Sequence, residues 1–132
     1  MPLNVGEEAG RLDLIIEQGT LFNVQLQYLE ADEETPINLS DFDGRMDIRP
    51  FQESPDSDII LTLTTSGGEI VIDGPNGIIN LILTADVTTT LSFDCAVYDL
   101  ELVDRLEPTE EVIRLVQGEV VLSTETTRTT GV

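Results

Sequence analysis

The side chains with chemical potential in this sequence are carboxylates. Twenty-six Asp and Glu stand against six Arg, with no Lys and no His, for a formal net charge of −20. Asp41-Phe42-Asp43-Gly44 and Asp56-Ser57-Asp58 place oxygen ligands at the i, i+2 spacing that calcium loops use. Both are incomplete: a calcium loop needs further ligands and a closing bidentate acid, and Pro50 occupies the position where an EF-hand glutamate would follow Gly44. Asp41 and Asp43 therefore read as turn-capping residues, and Asp56 and Asp58 as the start of a strand. Paired carboxylates also serve as acid and base in glycosidases, but those sites lie in clefts usually lined by aromatics. This chain has four Phe, two Tyr and no Trp. Its acidic pairs read as solvated faces.

Other catalytic sets fail on residue type. Without His or Lys, neither a Ser-His-Asp or Cys-His arrangement nor a Schiff-base amine is available. Gly67-Gly68 and Gly74 to Gly77 lack the strand-loop-helix context and the Lys of a phosphate cradle, so they are turns. Cys95 is the single cysteine, which excludes an intrachain disulfide and a cysteine-rich metal site. It reads as a buried small hydrophobe. No catalytic, cofactor-binding or metal-ligating residue is assigned, and no cofactor is expected.

The charge also bears on partners. A field of this sign repels phosphate backbones, and Arg45, Arg49, Arg105, Arg114 and Arg128 read as dispersed among acids, so no nucleic-acid partner is expected. Arg45 and Arg49, on the opposite face from Met46 and Ile48, are expected to pair with acids of this chain or a partner instead. With 40% hydrophobic residues the composition is not that of a disordered chain. Met1 to Gly10 carries two glutamates and no apolar core of a signal peptide, which suggests synthesis and folding in the cytoplasm. The best apolar runs, Asp58 to Leu63 and Ile78 to Leu83, fall far short of the roughly 18 residues of a membrane helix, so no membrane partner is expected.

The elements that must position these groups are strands. Cys95 to Asp104 puts Ala96, Tyr98, Leu100 and Leu102 on one face and acids on or beside the other. Val112 to Leu122 follows after a Pro108-containing connection, with Val112, Val116, Val120 and Leu122 on one side, and the two runs suggest a central hairpin. Upstream, Leu12 to Glu17 is a short apolar strand, and Thr20 to Glu30 alternates Phe22, Val24, Leu26 and Tyr28 against Asn23, Gln25 and Gln27. Ser40 to Gly44 reads as a turn before Arg45 to Pro50, where Met46 and Ile48 face inward. Asp58 to Thr64, Ile70 to Ile72 and Ile78 to Leu83, joined by glycine turns, read as a meander. Thr84 is a candidate N-cap for one helical turn. The sum is an all-β antiparallel sandwich or jelly-roll-like domain of about eight or nine short strands. It spans residues 11–122, between an N-terminal arm (1–10) and a Thr-rich C-terminal arm (123–132).

The order Gly19-Thr-Leu-Phe22, Pro36 to Arg49 (P-I-N-L-S-D-F-D-G-R-M-D-I-R), Tyr98 to Leu102 (Y-D-L-E-L) and Gly118 to Arg128 (G-E-V-V-L-S-T-E-T-T-R) resembles a family of small tailed-bacteriophage proteins. The likeness spans about residues 15 to 128 and departs at Asp41, where the family more often has glycine. It implies a β-sandwich virion structural protein without enzymatic activity, made in the host cytoplasm and located in the virion. Its partners would be other virion structural proteins, in a homo-oligomer of three- or six-fold order. A tail, baseplate or fibre-attachment adaptor is the first reading. The alternatives are a capsid decoration protein on the head and a host-glycan-binding module.

Overall fold

The computed structural model describes residues 2–4, 10–106 and 112–124. Alternating side chains force each strand to bury one face, and here the buried faces of two sheets meet. In chain order the strands are β1 (Pro2–Asn4), β2 (Gly10–Arg11), β3 (Leu14–Glu17), β4 (Phe22–Leu29), β5 (Phe42–Arg49), β6 (Leu61–Thr64), β7 (Ile70–Asp73), β8 (Ile78–Leu83), β9 (Cys95–Asp104) and β10 (Val112–Ser123); a short helix, α1 (Ala85–Thr89), lies between β8 and β9. The smaller sheet runs β1-β4-β8-β7, and the larger runs β2-β10-β9-β5-β6 with β3 also on β10. Pairing is antiparallel except along the N-terminal segment, where β1 joins β4 and both β2 and β3 join β10 in parallel. One buried cluster draws on both sheets, with Leu26, Tyr28, Ile79 and Leu81 from the smaller and Met46, Ile48, Leu100, Leu102, Val116 and Val120 from the larger. The fold is an all-β sandwich.

The expected central hairpin is present, with β9 and β10 in register from Val112 opposite Val103 to Val121 opposite Cys95. Its second strand does not keep one parity. The register shifts between Arg114 and Val116, so Leu115 and Val116 are both buried while Val112 is 50% exposed. One extra residue in the ladder flips every side chain on one side of it, which moves Val112 off the face of Val116, Val120 and Leu122.

Three other expectations change. β5 begins at Phe42, so Gly44 is inside a strand and not in a turn. Asp56–Asp58 form a 3-10 turn, and the strand that was expected from Asp58 starts at Leu61. The three glycine-linked runs are not a meander, because β6 pairs with β5 in the larger sheet and only β7 and β8 form a hairpin. A glycine turn lets the chain reverse without specifying a partner. Crossing between sheets at Ser66 to Glu69 lets Leu63 and Ile70 enter the core from opposite sides.

Thr84 caps α1 as expected, accepting from the Val87 amide. Inside the helix, the fully buried Thr88 hydroxyl donates to the Thr20 carbonyl at 2.8 Å and accepts from the Gly19 amide at 3.1 Å, which ties α1 to the β3–β4 turn. Of the stretch read as an N-terminal arm, Pro2–Asn4 lies along β4 and Gly10 along β10, while residues 5–9 lie outside the described residues. Ser123, the first residue of the expected C-terminal arm, ends β10; residues 125–132 and the Pro108 connection lie outside the described residues. No helix among the described residues is long and apolar enough to cross a membrane.

The β7–β8 turn depends on one backbone state. Gly77 has φ 62°, its N–H donates to the Gly74 carbonyl at 3.1 Å, and its carbonyl accepts from Tyr28 at 2.7 Å. A Cβ there would sit 2.7 Å from both the Ile37 and Tyr28 carbonyl oxygens, so strain and collision add. Gly77→Ala is expected to cost at least about 2 kcal/mol, read as a lower urea midpoint at unchanged m-value.

Candidate functional site

The parity that buries the core of the larger sheet also composes its outer face. Arg45, Asp47 and Arg49 point outward on β5, Val97, Asp99 and Glu101 on β9, Arg114, Gln117 and Glu119 on β10, and Arg11 on β2. Register places them in rows: Arg45, Glu101 and Arg114; then Asp47, Asp99, Gln117 and Arg11; then Arg49, Val97 and Glu119. Four of the six arginines thus gather on one face, where the sequence read as dispersed. They are far apart in the chain and are brought together only by the β5-β9-β10-β2 order.

The gathering has an electrostatic reason. Asp47 and Asp99 are direct cross-strand neighbours, an arrangement that destabilises a sheet unless cations offset it. Arg45 and Arg49 each lie 3.5 Å from Asp47, and Arg114 lies 3.5 Å from Asp99. Asp47 also accepts from the Thr62 hydroxyl at 2.8 Å. These pairs are partly exposed and each contributes about 1 kcal/mol at most. Their effect is to hold the guanidinium planes in place.

Arg49 is the most constrained of the four. It donates to the Ser54 carbonyl at 2.8 Å and to Asp56 at 2.7 Å, which pins the loop between Pro50 and Pro55 against the sheet. The hydrogen bond from Arg49, then its charge, holds the Asp56 carboxyl below the usual aspartate range, and the same bond raises Arg49. Asp56 is therefore an ion-pair partner of Arg49. Asp43 is likewise paired, with Arg105 at 2.9 Å. Among the described residues there is no group of three or more Cys, Asp or Glu placed to hold a metal ion.

Between these rows lies a depression of about 190 Å³, rimmed by Arg11, Asp47, Arg49, Gln52, Asp99 and Glu119. Its edge is built where β2 passes into β3. There Leu12 and Asp13 leave the ladder, and the backbone groups they would have paired are met otherwise. The Leu12 amide donates to Gln117 at 3.0 Å, the Asp13 carboxylate takes the Glu119 amide at 2.9 Å, and the Tyr98 hydroxyl donates to the Leu12 carbonyl at 2.5 Å. The chain passes so close to β10 that a Cβ on Gly118 would collide with the Leu12 carbonyl. Burial, with Asp13 adding to it, pushes the Tyr98 hydroxyl well above the usual tyrosine range, so it stays a donor.

Below the charged rows the face turns apolar. Cys95, Val121 and Ile15 share one row across β9, β10 and β3, with Val121 42% and Ile15 66% exposed. Cys95 is exposed, not buried as its residue type suggested, because Ala96 takes the inward position. Chemically the face offers guanidinium donors, carboxylate and amide acceptors, and an apolar strip.

The sequence signal for this face was the alternation Arg45-Asp47-Arg49, which carried no information about which strands lie beside it. No family model and no curated protein matches the chain. Among solved structures it is similar to the N-terminal domain of phage TP901-1 ORF48, with a TM-score of 0.53 and 8% sequence identity. That match covers 92% of this chain and 94% of the other. What the two share is the fold.

Tyr98→Phe leaves the Leu12 carbonyl without its donor and is expected to lower stability by about 1–3 kcal/mol in urea unfolding. Asp56 has a depressed folded-state pKa, so its contribution is present above about pH 4 and is lost as pH falls through the folded value. The melting-temperature gap between wild type and Asp56→Asn should therefore narrow from pH 6 to about pH 3. A gap that stays constant would show that Arg49 does not stabilise the Asp56 carboxylate.

Proposed function

We propose that this protein is a non-enzymatic structural subunit of a tailed-phage virion, acting on the tail side as a baseplate or fibre-attachment adaptor that binds neighbouring structural proteins. The observation that carries the reading is the outer face of the larger sheet. It sets four buttressed arginines beside an exposed Ile15-Val121-Cys95 row, in a chain that otherwise presents acids. The phage setting is supported by a sandwich similar, over nearly its whole length, to a domain of a phage protein. The resemblance of Pro36 to Arg49 and Gly118 to Arg128 to tailed-phage structural proteins points the same way.

The mechanism is docking. A partner sheet or loop covers the apolar row and forms charge-assisted hydrogen bonds with guanidinium groups that Asp47, Asp56 and Asp99 already hold in place, so little side-chain entropy is lost on binding. The C-terminal arm beyond β10, residues 125–132, adds reach by joining a sheet edge on a neighbour, where main-chain hydrogen bonds give affinity with little demand on side chains, whereas Pro2–Asn4 and Gly10 already pair within this chain. The Thr-rich tail is suited to strand formation once an edge is offered.

The test is co-expression with the structural proteins encoded beside it, followed by pull-down and electron microscopy of the assembly. Arg45→Gln with Arg114→Gln, and separately Ile15→Asp, should leave the circular dichroism spectrum unchanged and weaken partner capture at least about tenfold. Deleting residues 125–132, beyond the end of β10, should leave folding intact and reduce incorporation. Full assembly by all three variants would refute docking through this face and the C-terminal arm, and capture of a head protein instead of a tail protein would move the subunit to capsid decoration.

A further inference from the structure

The β7–β8 turn holds a side chain that can react with its own backbone. Of the asparagines, Asn4, Asn23, Asn38 and Asn80 precede valine or leucine, and Asn76 alone precedes a glycine. Glycine has no side chain to shield its backbone nitrogen, so that nitrogen can reach the side-chain carbonyl of the asparagine before it. Asn76 is exposed to water, between the buried Gly74 and Gly77. Residue type, neighbour and exposure single it out for deamidation, a reaction that makes asparagine thermolabile.

The chemistry defines what the turn must do to react. The lone pair of the Gly77 nitrogen attacks Asn76 Cγ, the nitrogen loses its proton, and Nδ2 leaves as ammonia, which closes a succinimide ring. Water then adds to either ring carbonyl and breaks that carbonyl's bond to the nitrogen, leaving aspartate or isoaspartate. The net change is a water taken up and an ammonia released. In the folded turn each participant is held off this path. The Gly77 N–H donates to the Gly74 carbonyl at 3.1 Å, and the same carbonyl accepts from the Leu39 amide at 2.8 Å, which anchors it from outside the turn. At the other end of that peptide unit, the Asn76 carbonyl accepts from Gln27 Nε2 at 3.1 Å. The leaving group is held as well, because Asn76 Nδ2 donates to Asp73 at 2.9 Å. A peptide unit is planar, so swinging the Gly77 nitrogen toward Cγ swings the Asn76 carbonyl too and breaks both backbone bonds.

We infer that Asn76 is a deamidation site gated by the β7–β8 turn, inert while these hydrogen bonds stand and reactive when the end of the hairpin opens. The products do not restore what they replace. Aspartate at this position sets a carboxylate against Asp73 where an amide had donated, and isoaspartate adds a backbone atom to a turn whose Gly77 groups must meet Gly74 and Tyr28. Each opening that ends in ring closure is therefore irreversible, and damage to the smaller sheet accumulates with age. The inference concerns the durability of that sheet and stands or falls apart from the docking function.

The experiment incubates the full chain at mildly alkaline pH, folded and in denaturing urea, and follows Asn76 by proteolysis and mass spectrometry that separates asparagine, aspartate and isoaspartate. The folded chain should deamidate at least about tenfold more slowly than the unfolded one, because reaction waits on local opening. Gln27→Ala frees the Asn76 carbonyl without touching the reacting atoms. It should speed the reaction of the folded chain about two- to tenfold and leave the rate in urea unchanged. Deamidated protein should melt below wild type. No reaction in urea, equal rates folded and unfolded, a Gln27→Ala chain that reacts at the wild-type folded rate, or deamidated protein that melts like wild type each overturn the inference.

Discussion

Strand β9 has one alternation and two neighbours, and much of the larger sheet follows from satisfying both. Ala96, Tyr98, Leu100 and Leu102 are all buried, so β5 must present Met46 and Ile48 at the same level and β10 must present Val116 and Val120. A one-residue slip on either side would put Asp47 of β5 or Glu119 of β10 into the core, where an unpaired carboxylate costs several kcal/mol. Register is therefore specified from both flanks. The cost of that certainty appears on the far side, where the same register makes Asp47 and Asp99 direct neighbours and requires arginines around them.

The parts of the fold that depend on short-range patterns were legible in the sequence. The β9–β10 hairpin, the two faces of β4, the inward Met46 and Ile48, the Thr84 cap and the Gly77 turn all arise from interactions within a dozen residues or from a period of two. The parts that depend on which strand lies beside which were not legible. β6 leaves β7 for β5, the bulge at Leu115 reverses the parity of Val112, and Cys95 faces outward because its neighbour Ala96 is needed inside. The arginine face belongs to the second kind. Arg11, Arg45, Arg49 and Arg114 converge through sheet order alone, and no local pattern encodes it.

The N-terminal segment shows how an edge is closed when regular pairing stops. A parallel edge strand leaves a row of unpaired backbone groups, which invites association with other chains. Here β2 and β3 cover β10, and the gap between them is sealed by three unlike donors and acceptors: the Asp13 carboxylate, the Tyr98 hydroxyl and the Leu12 amide. Tyr98 is thus a core residue whose polar end completes an edge. Its place on β9 links the certainty of the central register to the position of the N-terminal segment, so an error in one propagates to the other.

Charge then divides the molecule by function. A chain with 26 acids, no lysine and six arginines gains solubility from its net charge but loses the ability to approach anything acidic, including itself. Two kinds of surface remove that obstacle. One interleaves cations with acids, as on the larger sheet, where neighbouring carboxylates orient the guanidinium groups. The other carries no charged residue on β4 or β8, its acids confined to the β7 side where Asp73 stands beside Ile78. The sandwich sets these surfaces back to back, about 10 Å of shared core apart, so a subunit can be held on one side without altering the register that builds the other. That mechanical independence of two faces is a property the two-sheet fold supplies.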